Sequence, residues 1–262
     1  MNAGSAGLAH NDGVPGRVYQ LAWGVVLLTV FFLALLFVIP PDTYRFYGNF
    51  LEGGIALFCM GWCLYAYRSW SERIILLLAA FAFLGFALSN TFWYLSSVAL
   101  GRAQEFFSVS ELGFLGFMFF FIVAFRMEFP KRPCPAGSRI AAWGLFLIVA
   151  LLVPGLSGLT LAATLAVFQV LIMALLLDRA LVHAVYRFPL LWSGTCLWIC
   201  ASVIYVLRET LGTMQAWRMV VISLPANPLS VYDFLNIVSP LDVLSFLLIL
   251  LGLFTYLDSR TD

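Results

Sequence analysis

Eight mostly apolar stretches follow one another along the chain, at residues 18–40, 48–67, 74–96, 107–125, 140–154, 159–177, 190–211 and 234–257. A helix needs about 20 such residues to cross a hydrocarbon core of ~30 Å, and all but the shortest, the fifth, are close to that length. A bilayer core offers no water to backbone N–H and C=O groups, so each stretch is expected to satisfy them internally as a helix. The expected fold is therefore all-α, a polytopic membrane helix bundle of eight transmembrane helices.

The chain is 63% hydrophobic and 10% charged. Soluble domains carry nearer ~25% charged residues, so a water-facing surface could not be built from this composition. Residues 1–17 are rich in Gly, Ala and Asn and lack the apolar core and cleavage site of a signal peptide, and they read as a disordered cytoplasmic tail. Residues 258–262 form a second short tail.

Lys and Arg set the orientation. With an internal amino terminus, one side holds Arg17, Arg68, Arg73, Arg126, Lys131, Arg132, Arg139, Arg179, Arg187 and Arg260, and the other holds Arg45, Arg102, Arg208 and Arg218. Ten against four is a positive-inside bias, which predicts an inner-membrane protein with both termini cytoplasmic. The densest basic stretch, residues 127–139 with Arg126 before it, is rich in Pro and reads as a cytoplasmic linker between a first four-span half at 18–126 and a second at 140–257. In each half a polar helix end precedes an acidic residue entering the next span: Asn90 before Glu111, and Ser202 before Asp242. Two parallel four-helix repeats would give that pattern. So would chance likeness between short apolar segments.

The acidic residues carry most of the functional information. At ~1.5 Å per residue from the outer helix ends, Glu52 and Glu111 lie about 6 Å deep and Asp242 about 12 Å deep. Charge at depth is costly and is usually directed to a cavity or a partner. Helical spacing gives each acid polar neighbours: Ser108 with Glu111, Asn236 and Ser239 with Asp242, Asn90 with Trp93 and Tyr94, and Tyr205 with Arg208. If the helices bundle in order, Glu52, Asn90, Trp93, Tyr94, Glu111, Tyr205, Arg208 and Asp242 form an outward-facing ligand-binding pocket. The competing structural reading has Glu52 and Glu111 snorkelling to the interface, Arg208 neutralising Glu209 or Asp242, and the aromatics serving as interface anchors.

Other chemistry is narrowed by what the sequence lacks. Cys59 with Cys63, and Cys196 with Cys200, lie one helical turn apart, but no neighbouring His completes a metal set and they read as packing residues. His10 and His183 lie away from span centres, against a bis-histidine heme. The single lysine, Lys131, is in a loop, against a retinal Schiff base. No Walker loop, dinucleotide fingerprint, zincin motif or nucleophile elbow occurs, and a net charge of +1 offers no nucleic-acid surface. No cofactor is expected. The apolar connection at 212–233, with Trp217, Pro225 and Pro228, reads as a lid on the bilayer surface or an oligomer contact.

The run Leu88-Ser89-Asn90-Thr91-Phe92-Trp93-Tyr94, followed by Ser108-Val109-Ser110-Glu111, resembles the eight-span amino-terminal sensory domain that precedes diguanylate cyclase or histidine kinase modules in some bacteria. Ser239–Asp242 is similar to the acidic last span of those domains. Asn90 stands where that family commonly has Asp, and the sequence ends at Asp262 with no output domain. The likeness implies a non-enzymatic sensor that binds a ligand from the outer side and signals to a separate cytoplasmic or membrane protein partner, with Arg126–Arg139 as the available surface. A more distant likeness is to the lysoplasmalogenase family, although its Gly-Asp and Ser-Asp pairs are replaced here by Ser89-Asn90 and Ser202-Val203. It implies a lipid hydrolase; with the family's own acidic pairs missing, Glu111 and Asp242 are the residues whose chemistry would let them stand in as general acid and base. An accessory subunit of a larger membrane complex is the third reading.

Overall fold

The computed structural model describes residues 41–69, 73–96, 100, 109–129, 161–182, 187–212, 221–223, 228–230 and 238–259, with isolated helical positions between 24 and 34 and between 137 and 151. Six long helices are described: α1 (Pro41–Ser69), α2 (Ile74–Tyr94), α3 (Val109–Glu128), α4 (Leu161–Val182), α5 (Pro189–Gly212) and α6 (Val238–Asp258). Four of them contain a segment long and apolar enough to cross a membrane: Gly48–Arg68, Ile74–Tyr94, Pro189–Val206 and Leu241–Asp258. The chain is an all-helical membrane protein in its long elements. The first and fifth apolar stretches fall largely outside the described residues, as do residues 1–17 and most of 127–139.

Helix boundaries follow local chemistry. α1 and α5 open on Pro41 and Pro189, a residue whose fixed φ and missing N–H suit the first helical position. α1 starts seven residues before the apolar run at 48, because a helix continues through polar residues once its backbone bonds are made. Pro240 lies in the first turn of α6, where its missing N–H removes no intrahelical bond. The 212–233 connection contains a short antiparallel hairpin, β1 (Val221–Ser223) with β2 (Pro228–Ser230), pairing Ile222 with Leu229. This adds a small strand element to a fold expected to be wholly helical; its β-branched Val221-Ile222 favours extended backbone.

The helices close on themselves. α1 packs on α2 and α6, α2 on α3, α3 on α4, α4 on α5, and α5 on α6. α6 lies deepest, with 72% of Leu241–Asp258 buried against 39% of Gly48–Arg68. Two glycine contacts bring helices close together. A Cβ on Gly113 would fall 2.6 Å from the Ser89 Cβ, locking α3 onto α2, and one on Gly194 would fall 2.7 Å from the Ile249 nitrogen, locking α5 onto α6. Small residues permit such backbone approach where lipid supplies no hydrophobic drive between helices. Outward, Phe50, Leu57, Leu64, Phe81, Leu88 and Phe119 are exposed, a surface suited to acyl chains.

The bundle has two chemically distinct ends. The acidic end holds Asn90, Glu111, Tyr205 and Asp242; the basic end holds Arg68, Arg73, Arg126, Arg139 and Arg187.

Candidate functional site

The acidic end rests on a floor of aromatic rings. Phe83 and Phe86 of α2, Phe117 and Phe121 of α3, Trp198 of α5 and Phe246 of α6 are all buried. Phe246 lies 4.5 Å from Phe86 and 5.3 Å from Phe117, and Trp198 lies 4.6 Å from Phe117, centroid to centroid. Phe114 extends the floor, 4.9 Å from Phe86 and 6.1 Å from Tyr205. These distances are those of tilted and edge-on pairs, which are favourable beyond the area they bury.

Each of four helices places a polar group one turn beyond its ring in that floor. Asn90 is four residues from Phe86, Glu111 three from Phe114, Ser202 four from Trp198, and Asp242 four from Phe246. Residues three or four apart share a helix face, so these side chains form a layer directly above the rings. All four are buried, with Asp242 7% exposed and Glu111 2%. Tyr205, one turn beyond Ser202, donates its hydroxyl to Glu111 Oε1 at 2.8 Å, bridging α5 to α3.

Glu52 of α1 joins the same layer. Its Oε2 accepts from Asn90 Nδ2 at 3.4 Å, and the glycine beside it, Gly53, lets α1 approach, since a Cβ there would sit 3.5 Å from the Asn90 Cβ. The structure thus pairs Glu52 with Asn90 and Glu111 with Tyr205, and holds Asp242 above the same ring cluster. Asp242 also accepts at its backbone oxygen from the Ser245 hydroxyl, 2.6 Å away. Trp93 and Tyr94 are half-buried at the α2 terminus, where the Ser96 hydroxyl donates to the Trp93 carbonyl at 3.1 Å. The side chain of Arg208 lies outside the described residues, as does that of Glu209.

A second polar layer at the basic end was not singled out from sequence. Tyr256 of α6 donates to Glu128 Oε1 of α3 at 2.6 Å. Asp178 of α4, 5% exposed, pairs with Arg139, 57% exposed, at 3.2 Å. Glu128 lies just past the apolar run of span four and Asp178 stands beside Arg179, so both read as interface residues; Tyr256, a hydroxyl-bearing side chain near the end of the last apolar run, was the available signal. Between the two layers the rings continue as Phe121, Phe125, Phe129 and Tyr256 at 4.8 to 6.0 Å spacings.

The acidic layer has the chemistry to hold a positively charged or hydrogen-bond-donating group, with carboxylates beside it and ring faces below. Among the described residues no group of three His, Cys, Asp or Glu is placed to bind a metal ion. Glu52, Glu111 and Asp242 are thus spread around a layer rather than gathered on one point. Cys59 and Cys63 are buried within the core of α1, Cys196 is half-buried and Cys200 exposed. The Trp198 indole nitrogen has no acceptor among the described residues, leaving a buried donor in the floor. Comparison with family models, curated proteins and solved structures returns no match to this chain.

Proposed function

We propose that this protein is an eight-span inner-membrane receptor that binds a ligand of cationic or hydrogen-bond-donating chemistry in the Glu52–Asn90–Glu111–Tyr205–Asp242 layer. In this reading the acidic end faces outward, both termini are cytoplasmic, and the event passes to a separate protein through the basic Arg126–Arg139 connection. One observation carries the proposal: four helices each place a buried polar group one turn above a shared aromatic cluster. Buried carboxyls weaken a bundle unless they are needed, and scattered structural contacts have no reason to converge on one level.

α3 supplies a route for the signal. It carries Glu111 in its first turn and Glu128 in its last, bonded to α5 and α6 respectively. A ligand that takes the Glu111 carboxylate from Tyr205 changes what holds α3 at the acidic end, and the same rigid helix runs into the basic connection. The test is a ligand-dependent change at the opposite end, read as altered labelling of a spectroscopic probe at residue 132 when candidate amines are added to protein in nanodiscs. Loss of that response in Tyr205→Phe, with the ligand still bound, supports coupling through α3. A response unchanged in Tyr205→Phe contradicts it.

A further inference from the structure

The aromatic floor contains a polar atom that the fold leaves unmet. Trp198 of α5 is 2% exposed, and its indole N–H has no acceptor among the described residues. A buried donor without an acceptor forfeits the bond it made with water, so folded proteins hold few of them and each calls for an explanation. The tilted face of Phe117, 4.6 Å away between centroids, is a weaker partner for an N–H than an oxygen. Thr195, one turn toward the basic end of α5, directs its own hydroxyl to the Leu191 carbonyl at 2.8 Å.

The place of this donor decides from which side an acceptor can reach it. Phe117, on which Trp198 packs, also lies 5.6 Å from Phe86 and 5.3 Å from Phe246. On α3 and α6 the buried residues one and two turns toward the basic end are Phe121, Phe125, Leu250 and Leu253, hydrocarbon side chains with nothing to accept a proton. One turn toward the acidic end stand Asn90, Ser202 and Asp242, all buried. The indole nitrogen therefore sits at the inner boundary of the acidic layer, with apolar core behind it.

We infer that the Trp198 N–H is the inner contact of the ligand site, meeting an acceptor oxygen on the ligand while the acidic layer holds its amine. The inference rests on the receptor reading and narrows the ligand class. One helical turn rises about 5.4 Å, so the ligand is a protonated amine whose ether, ester or ketone oxygen lies roughly that far from its nitrogen. A plain alkylamine satisfies the carboxylates and leaves the indole unmet, and a site with a buried donor favours the ligand that can fill it.

The test compares two probes of the same length and charge, 3-methoxypropylamine and n-pentylamine, in which an ether oxygen four bonds from the nitrogen replaces a methylene. Each is titrated calorimetrically into full-length protein in nanodiscs, with empty nanodiscs subtracted. Wild type is expected to bind the ether about fivefold more tightly, the worth of one neutral hydrogen bond. Trp198→Phe should bind both amines equally, at the pentylamine affinity of wild type, whereas Asp242→Asn should weaken both alike. If Trp198→Phe does not fold, 3-benzothienylalanine at position 198, which keeps the ring shape and replaces N–H by sulfur, carries the test. Equal affinity of the two amines for wild type, a preference for the ether that survives loss of the N–H, or a parallel loss of both amines in the 198 variants would each overturn the inference while leaving the receptor reading standing. Binding of neither amine to wild type would count against the receptor reading itself and remove the inference with it.

Discussion

Tyr205 on α5 donates to Glu111 on α3 at 2.8 Å, and Tyr256 on α6 donates to Glu128 at the other end of α3 at 2.6 Å. One helix is thereby tied at both ends to two later helices. Tyr205→Phe removes a bond to a buried carboxylate and is expected to cost about 1–2 kcal/mol in detergent unfolding, toward the upper end measured for bonds inside membrane proteins. Glu111→Gln, which keeps an acceptor oxygen, should cost less. A double-mutant cycle between Tyr205→Phe and Glu111→Ala should return a coupling energy above about 0.5 kcal/mol.

The glycine contacts predict a different pattern. Gly113→Ala forces a methyl against Ser89 and the α2 backbone, and Gly252→Ala forces one against Leu191. Each is expected to destabilise by about 1–3 kcal/mol as overpacking. Gly54→Ala, where a Cβ meets nothing within 4 Å, should be neutral or slightly stabilising. Thermal melts of the three variants side by side check this; equal losses in all three would contradict the close crossings.

Arg139 and Asp178 form an asymmetric pair, because the arginine is largely solvated and the carboxylate is not. Arg139→Gln leaves a buried carboxylate without its cation and should cost about 1 kcal/mol, more at low salt than at high. Asp178→Asn, which removes the buried charge along with the pair, should cost less than Arg139→Gln. Chemical denaturation at two salt concentrations measures both.

The helices were legible because apolar run length is set by bilayer thickness, and residues 74–96, for example, became α2 within two residues of the expected end. The candidate residues Glu52, Asn90, Glu111, Tyr205 and Asp242 were legible because charge and amide groups stand out against aliphatic neighbours. Their pairing was not: nothing in sequence says that Glu111 meets Tyr205 or that Glu52 meets Asn90, since that depends on which helices neighbour which and at what height. The Glu128–Tyr256 layer escaped because residues at span ends look like interface residues until the partner helix is known. Gly113, Gly194 and Gly252 gave no sign of their close contacts, because a membrane helix carries many glycines and only the packing decides which matter.

The proposed eight-span topology rests on the arginine distribution and is directly testable. Tags at residues 1 and 262 should both report from the cytoplasm, and a fusion at Arg102 from the outside. An active alkaline phosphatase fusion at the carboxyl terminus would require an odd number of spans and would overturn the eight-span arrangement.

The central claim is that the acidic layer exists to bind rather than to hold the bundle together, and Asp242→Asn separates the two. Purified wild-type and variant protein would be melted alone and with a panel of organic amines and lysolipids, with product release from the lysolipids assayed alongside. The predicted result is that Asp242→Asn melts within about 1 kcal/mol of wild type, that at least one amine stabilises wild type but not the variant, and that no lysolipid is hydrolysed. A loss of ~3–5 kcal/mol in the ligand-free variant would mark Asp242 as half of a structural pair, and lysolipid turnover dependent on Glu111 and Asp242 would mark an enzyme; either outcome contradicts the receptor reading.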